Sequence, residues 1–577
     1  MPQSESICLS PIARLIFSCV NLGRVLLLLL AFCRIVAGAS ATGLNGAVAT
    51  VHPLATEASI AAMKRGGNAI DGAVAAALTL GVVDGHNSGI GGGCFLLIRL
   101  ADGSTVAIDG RETAPAKAHR DMFVRNGKAA PELSQSGALA SGVPGALAAY
   151  HYALRKYGKL SLNEHLREAA AIAERGFKID GSYARALAVE AQDLGRFEPS
   201  RKIFLRPNGS PYKQDDLLKQ PDLAATYQRI AEEGTAWFYR GPFARSTEHW
   251  MNQNAGVITA ADFATYEIKL RQPVTNTYRG YLIVGFPPPS SGGVHVAQIL
   301  NILEHFPLQK FGPASADLVH VTAEAMKLAF ADRAFWLGDP DFAPVPRGLV
   351  SKKYAATLAS RIRMNRVTSV DSHNIPEDAA TNIFGKHTTH FCTADSSGNW
   401  VACTATINTS FGSKVVIPGT GVVMNNQMDD FAIQPGVANY FGLIGAEANS
   451  AGPGKRPLSS TSPTIVLKDG RPILSVGAAG GPTIISQTLL AIINTIDFGM
   501  SLDAALAQPR FHHQWRPDEL KIERKIGQAV LSELVRRGHH IVPLDSFGAA
   551  QAIGFSDQNS QFTAASDPRL RGKASAF

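Results

Sequence analysis

Two threonines and an asparagine fall where they could meet. Thr388 opens the run Thr388-Thr389-His390-Phe391-Cys392-Thr393-Ala394-Asp395, Thr406 and Asn408 close the run 400–408, and Ser396-Ser397-Gly398-Asn399 between them is a hairpin turn signal. Pairing around that turn sets Thr388 opposite Thr406 to within about one residue of register, with Asn408 just beyond. The chemistry open to such a pair is attack by a threonine hydroxyl, a weak nucleophile at neutral pH until a base takes its proton. The competing reading is a half-buried hairpin whose threonines serve β-propensity alone.

The elements that must position these groups change character along the chain. Ala47-Val48-Ala49-Thr50-Val51 is strand-like, a helical pattern covers 55–65 and stops at Gly66-Gly67, and Asn68 starts a second helix through 69–78 whose small residues suit close packing on a sheet. From about 142 to 380 the pattern reads as mostly helical, with amphipathic stretches at 147–157, 166–174, 223–233, 294–303 and 319–334. The polar, aperiodic run 361–380 reads as an exposed, poorly packed connection leading to Thr388. After Thr388 the pattern turns to strands.

Composition bounds the class. With 577 residues, 45% hydrophobic and 18% charged, the chain can bury a large core and lacks the signature of disorder. Its net charge of +8 comes from dispersed basic residues, not from a stripe interleaved with aromatics, so no nucleic-acid partner is expected. Arg14 and Arg24 precede the apolar run 25–32, and Ala37-Gly38-Ala39 supplies small residues for cleavage, so residues 1–39 resemble a secretory signal peptide with a long n-region, cut near 39–41. Read instead as a membrane anchor, the run is interrupted by Arg34 well short of the roughly 20 residues needed to span a bilayer. A periplasmic or secreted protein follows, with no stable membrane span expected. Cys8, Cys19 and Cys33 lie in that leader, which leaves Cys94, Cys392 and Cys403, too few and too scattered for a disulfide framework or a zinc site.

Other motifs offer less. Ser88-Gly89-Ile90-Gly91-Gly92-Gly93-Cys94 leads into a strand and not a helix, and Cys94 stands where a dinucleotide fingerprint needs its last glycine, so a tight backbone passage is the better reading. Arg111 leaves the strand ending at Ala107-Ile108-Asp109-Gly110, and it is either a solvated surface charge or a fork set to hold a carboxylate. The histidine pairs His387/His390 and His512/His513 lack metal-site spacing, no serine sits in a G-x-S-x-G elbow for His86 to serve, and neither metal nor cofactor is expected.

Asn425-Asn426-Gln427-Met428-Asp429-Asp430-Phe431, Lys455 to Thr464 with Ser459-Ser460, Gly477-Ala478-Ala479-Gly480-Gly481-Pro482-Thr483 and Pro509-Arg510-Phe511-His512-His513-Gln514 follow in order. Together with the Thr388 stretch they make the chain resemble the γ-glutamyltransferases of the bacterial exported type, from about 46 to 567. The resemblance implies an N-terminal-nucleophile hydrolase fold, a four-layer αββα sandwich in the mixed α/β class, made as one precursor that cuts itself. The scissile bond is then His387-Thr388, giving a large subunit 40–387 and a small subunit 388–577 that remain a heterodimer.

Once cut, Thr388 carries its own α-amine, whose unperturbed pKa near 8 suits proton transfer around neutrality, so one residue supplies nucleophile and base. By resemblance Thr406 assists the self-cleavage and then orients Thr388, and the backbone N–H groups of Gly480 and Gly481 form the oxyanion hole. Arg111, Ser459 and Ser460 match the family's binders of the donor α-carboxylate; Asp430, Gln427 and Asn408 match its binders of the α-ammonium. Glutathione and related γ-glutamyl amides are the implied donors, with water or amino acid and peptide amines as acceptors. A cephalosporin or glutaryl acylase on the same fold and an unprocessed, inactive γ-glutamyl-binding relative are the alternatives. Two departures stand out: Phe441, beside Tyr440 in the lid-like stretch 434–442, replaces a tyrosine common in the family, and Gly-Ala-Ala precedes Gly480 where serine and proline are frequent.

Overall fold

The computed structural model describes residues 40–376 and 390–577; the leader 1–39 and the segment 377–389, with His387 and Thr388, lie outside the described residues. Two seven-stranded sheets organise the chain. One runs in the order Lys573–Ala576, Gly46–Thr50, His390–Asp395, Trp400–Thr406, Gly93–Arg99, Thr105–Gly110, Lys269–Arg271. The other runs Ser40–Gly43, Gln561–Ser566, Ala549–Ser556, Arg471–Ala479, Thr464–Lys468, Tyr281–Gly285, Val274–Tyr278. Within both, neighbouring strands pair antiparallel.

Side-chain alternation assigns the layers. In the strand Gly93–Arg99, Phe95 and Leu97 enter a core shared with Cys392, Trp400, Ile465 and Ile553 between the sheets, whereas Cys94, Leu96 and Ile98 enter a second core with the helices Ala69–Val83 and Ala146–Tyr157. Val466 does the same on the other sheet, joining the helices Ser291–Leu303, Ala316–Trp336 and Thr483–Ile496. A strand buried on both faces must be apolar at every position, which is why these strands read as continuous hydrophobic runs. The result is the four-layer αββα sandwich expected.

Two sequence expectations need correction. The stretch read as mostly helical contains Lys269–Arg271 and the hairpin Val274–Tyr278/Tyr281–Gly285, which closes through Arg279 and Gly280, both at positive φ. Its first strand buries Val274, Asn276 and Tyr278 on one face, a period of two that the flanking helical patterns obscured. The run before residue 377 is irregular, as expected, but it is not poorly packed. Thr368 N donates to Glu324 Oε2 (2.6 Å), Trp515 Nε1 to the Val370 carbonyl (2.7 Å), Trp336 Nε1 to the Asn374 carbonyl (2.8 Å) and Asn374 N to Asp332 Oδ1 (2.8 Å). Side chains satisfy its backbone, and such bonds leave no periodic trace in a sequence.

Candidate active site

The hairpin of His390–Asp395 and Trp400–Thr406 has the anticipated turn, with Asp395 Oδ1 accepting from Ser397 N and Asn399 N and Gly398 at φ +96°. His390 pairs with Thr404, the register on which the expected Thr388–Thr406 pairing was built; Thr388 itself is not among the described residues. Thr406 is buried and pairs with Gly93 on its other side. Its Oγ1 accepts from Asn408 N (2.7 Å), and Asn408, at φ +81°, turns the chain away from the sheet and donates from Nδ2 to the Asn426 carbonyl (3.0 Å). The glycine run is the tight passage expected. A Cβ on Gly92 would stand 1.9 Å from the Thr406 carbonyl oxygen, and one on Gly91 2.0 Å from that of Val423. Only glycine lets this strand slide beneath the corner at Thr406.

Arg111 is fully buried, which removes the surface-charge reading. Its backbone is fixed on both sides: its N–H donates to Asp109 Oδ1 (2.9 Å), and its carbonyl accepts from Tyr266 Oη (2.7 Å) and Arg456 Nη1 (3.1 Å). Its guanidinium reaches Asp430 Oδ2 through Nη2 (2.6 Å), Glu112 Oε2 through Nη1 (3.3 Å) and the Pro457 carbonyl through Nε (3.4 Å). Burial pushes Glu112 up to about 7 against the pull of Arg111. Asp430 ends the short 3-10 turn Gln427–Asp430.

Around this ion pair are buried polar atoms that make no hydrogen bond among the described residues: both amide atoms of Gln427, Ser459 Oγ and Glu112 Oε1. Leaving such groups unpaired costs about 1–3 kcal/mol each, a cost that a polar ligand bonding to them removes. The Ser459 carbonyl accepts from Ser291 N (3.1 Å) and from Arg333 Nη2 (3.3 Å), and the same nitrogen donates to Ser460 Oγ (3.3 Å). Arg333 was not anticipated from the sequence. Burial brings its guanidinium down to about 10, with Asp430 opposing. Its signal was a charge inside the helix Ala316–Trp336, which is buried from Leu318 to Ala334 and also carries Glu324, Lys327 and Asp332. Two guanidinium groups, an aspartate, an amide and two serines thus converge, a set suited to a ligand bearing both an anion and a cation.

Gly480 (φ +130°) and Gly481 (φ +58°) link the strand Arg471–Ala479 to the helix Thr483–Ile496, whose N-terminal dipole favours developing negative charge at this turn. Thr483 Oγ1 donates to the Gly480 carbonyl (2.7 Å) and Gln487 Nε2 to that of Ala479 (3.0 Å), which holds the turn. Phe441 leans on it: a Cβ at Gly481 would lie 2.7 Å from Phe441 Cδ1. The lid-like loop is tied down beside that ring, with Tyr440 N donating to Asp429 Oδ2 (3.0 Å) and Gln514 Nε2 to the Phe441 carbonyl (3.2 Å). Asp429 also accepts from Ser134 Oγ (2.6 Å), and burial pushes it up to about 6. The phenylalanine therefore meets the Gly480-Gly481 turn through Cδ1 and Cε1 of its ring, and the Asn408 amide bonds to Asn426 instead of to the lid-like loop.

The neighbouring His390 is held by its own strand and sheet. His390 contacts Thr404 Oγ1 (3.1 Å) and Cys392 Sγ (2.9 Å), and burial holds it at about 3, hence neutral. Among the described residues, no three His, Cys, Asp or Glu side chains are grouped to hold a metal ion, and Cys94, Cys392 and Cys403 are buried free thiols.

Residues 55–577 match the sequence profile of the family described as Gamma-glutamyltranspeptidase. A glutathione hydrolase proenzyme of Escherichia coli (strain K12) is 43% identical over 528 residues, 91% of this chain and 90% of that protein. The acylase ACY 1 proenzyme of Pseudomonas sp. (strain SE83) is 40% identical, over 89% of this chain and 91% of its own length. Among solved structures, the cephalosporin acylase from Bacillus halodurans superposes with a TM-score of 0.83 at 28% identity, covering 93% of this chain and 97% of that one.

Proposed function

The chain belongs to the gamma-glutamyltranspeptidase family, and from that premise we propose that it is a self-processing γ-glutamyltransferase and glutathione hydrolase. Support comes above all from the buried Arg111–Asp430 pair and the polar atoms around it. A γ-glutamyl donor carries an α-carboxylate and an α-ammonium on one carbon. Arg111, Ser459 and Ser460 take the first; Asp430, Gln427 and Asn408 take the second. The donor's own charges then offset the desolvation of Arg111 and Asp430, which at present neutralise each other.

With the donor held there, the Thr388 hydroxyl attacks the γ-carbonyl while the Thr388 α-amine takes its proton. The N–H groups of Gly480 and Gly481 stabilise the oxyanion, and the leaving amine departs with the proton. Water or an acceptor amine then releases the γ-glutamyl group by the reverse sequence. Before this chemistry is possible the precursor cuts itself at His387-Thr388, with Thr406 assisting, into subunits 40–387 and 388–577. Both sheets interleave strands from the two sides of that bond: Gly46–Thr50 and Gly93–Arg99 flank the hairpin of His390–Asp395 and Trp400–Thr406, and Tyr281–Gly285 pairs with Thr464–Lys468. Cleavage therefore leaves a heterodimer without any new interface. Export by the leader 1–39 places the enzyme in the periplasm or outside the cell; among the described residues no helix is long and apolar enough to cross a membrane.

An acylase is the second reading, because relatives bearing that name match as broadly. A glutaryl group has no amine for Asp430 and Gln427 to bind, which weighs against it. A denaturing gel with intact masses, run on wild type and Thr388→Ala, tests the processing; γ-glutamyl and glutaryl anilides assayed in parallel test the substrate. Wild type that stays whole removes the mechanism, and preference for the glutaryl anilide transfers the case to the acylase.

A further inference from the structure

Next to the end of the strand Arg471–Ala479 lies a polar cleft of about 40 Å³, whose lining includes His52, Asp84, His86, Asn87, Asp180 and Ala479. None of the donor-pocket residues takes part in it. Ala479 is the residue before Gly480, so one wall is continuous with the oxyanion turn. The loop 84–87 also carries the corner on the other side, because the Asn87 carbonyl accepts from Ile407 N (3.1 Å) and the His86 carbonyl from Phe411 N (2.8 Å), on either side of Asn408. The cleft thus ends at Ala479, one residue from the Gly480-Gly481 turn, and its loop 84–87 is bonded to the backbone on both sides of Asn408.

Its lining is acidic and contains no lysine or arginine. Asn87 Nδ2 donates to Asp84 Oδ1 (2.9 Å) and to His86 Nε2 (3.1 Å), which leaves the imidazole proton on Nδ1. His86 is only 4% exposed, and its Nδ1 makes no hydrogen bond, standing 3.5 Å from Asp84 Oδ1. Asp180 Oδ1 caps the helix Gly181–Gly195 by accepting from Tyr183 N (2.8 Å), and His52 Nδ1 accepts from Leu54 N (3.2 Å). A buried imidazole N–H without a partner, beside two carboxylates, is arranged for a small group that both donates and accepts: an amine in transit between its protonated and free forms. The volume suits that group and no more, since one water needs about 10–15 Å³ by the same measure.

We propose that this cleft takes the amino end of the acceptor, an α-amino acid or peptide, and that Asp84 receives the proton the acceptor ammonium must lose before its nitrogen can attack. The proposal rests on the reading of Thr388 as the acylated nucleophile. The ammonium gives one proton to the Asp84 carboxylate. The freed lone pair attacks the γ-carbonyl of the ester, the new C–N bond forms, the C–O bond to Thr388 breaks, and Thr388 Oγ takes the second amine proton. Asp84 then returns its proton to solvent. Burial, opposed by the Asn87 amide and reinforced by the nearby Asp180 charge, pushes Asp84 up to about 8, close to the value of about 8 for a peptide amine, so the transfer is nearly balanced. The accepting carboxylate is the main form only above about pH 8, where the assay is run. Burial holds His86 near 4, so it stays neutral and adds no positive charge to repel the incoming ammonium.

The test uses the processed enzyme with γ-glutamyl-p-nitroanilide as donor and glycylglycine below its KM as acceptor. The quantity read is the ratio of γ-glutamyl-glycylglycine to free glutamate, which is independent of how much of a variant folds. Asp84→Asn and Asp180→Asn should each lower that ratio at least tenfold, with Asp84→Glu recovering part of it; asparagine still caps a helix, so Asp180→Asn preserves the fold. Ratios within twofold of wild type for both asparagine variants overturn the proposal. Wild type that releases no anilide overturns the donor reading and this proposal with it, a result distinct from an unchanged ratio.

Discussion

Arg111 Nη2 lies 2.6 Å from Asp430 Oδ2, joining residues 319 positions apart in a buried ion pair within the proposed donor pocket. Each is the counter-ion of the other until a donor brings its own. Asp430→Asn removes the anion proposed to hold the donor ammonium while, above about pH 7, the ionised Glu112, 3.3 Å from Arg111, still offsets the guanidinium. A charge-assisted hydrogen bond contributes about 1.5–3 kcal/mol, so kcat/KM for a γ-glutamyl anilide should fall roughly 10- to 100-fold. The same change should barely alter, or should improve, turnover of a glutaryl anilide. Equal losses on both substrates would show that Asp430 does not read the amine.

Arg333 bridges the Ser459 carbonyl and Ser460 Oγ with one nitrogen while its Nε donates to Ser291 Oγ (3.2 Å). A lysine keeps the charge but loses the planar fork that makes these contacts together. Arg333→Lys should raise the donor KM about tenfold with a smaller change in kcat, measured on the processed enzyme. A fall in kcat alone would place Arg333 with the reacting atoms instead.

How much of this was legible in the chain follows from the range of each interaction. The hairpin register was readable because the turn at Ser396-Ser397-Gly398-Asn399 fixes it locally, and the helices read as 69–78 and 294–303, which run 69–83 and 291–303 in the structure, because the Asn68 cap and the periodicity are local too. Arg111, Asp430 and Ser459 come from three distant segments, and no spacing rule joins them; only their likeness to an ordered set of motifs did. Arg333's link to Ser460 escaped because it forms only once the helix Ala316–Trp336 packs on that loop, and the Tyr440–Asp429 tie because it joins two irregular stretches that no periodicity relates.

Glu112 carries a pH dependence whose sign follows from its environment. Burial raises it to about 7, above the ordinary glutamate value, so between roughly pH 4.5 and 7 the folded state holds a proton that the unfolded chain has released. Stability therefore declines as pH rises through that window and levels off above it, by on the order of 3 kcal/mol. Glu112→Gln can still accept from Arg111 and has no charge to bury. The melting temperature of the variant relative to wild type should climb between pH 5 and pH 8; a difference that is flat across that range would show that Glu112 is already ionised in the fold at pH 5.

Gly481 and Phe441 are coupled through space, and their coupling can be separated from backbone strain. A methyl group at Gly481 meets the Phe441 ring at 2.7 and 2.9 Å, and φ +58° is a conformation alanine adopts at a cost of about 1–2 kcal/mol. Gly481→Ala should thus displace the turn whose N–H groups are proposed to meet the oxyanion, and loss of one such donor costs about 100- to 1000-fold in kcat. Adding Phe441→Ala removes the collision but not the strain, so the double variant should recover about tenfold in kcat over Gly481→Ala alone, measured on processed enzyme with saturating γ-glutamyl anilide. Additive losses in the double variant would mean that the ring and the turn act independently, and that the lid does not brace the oxyanion site.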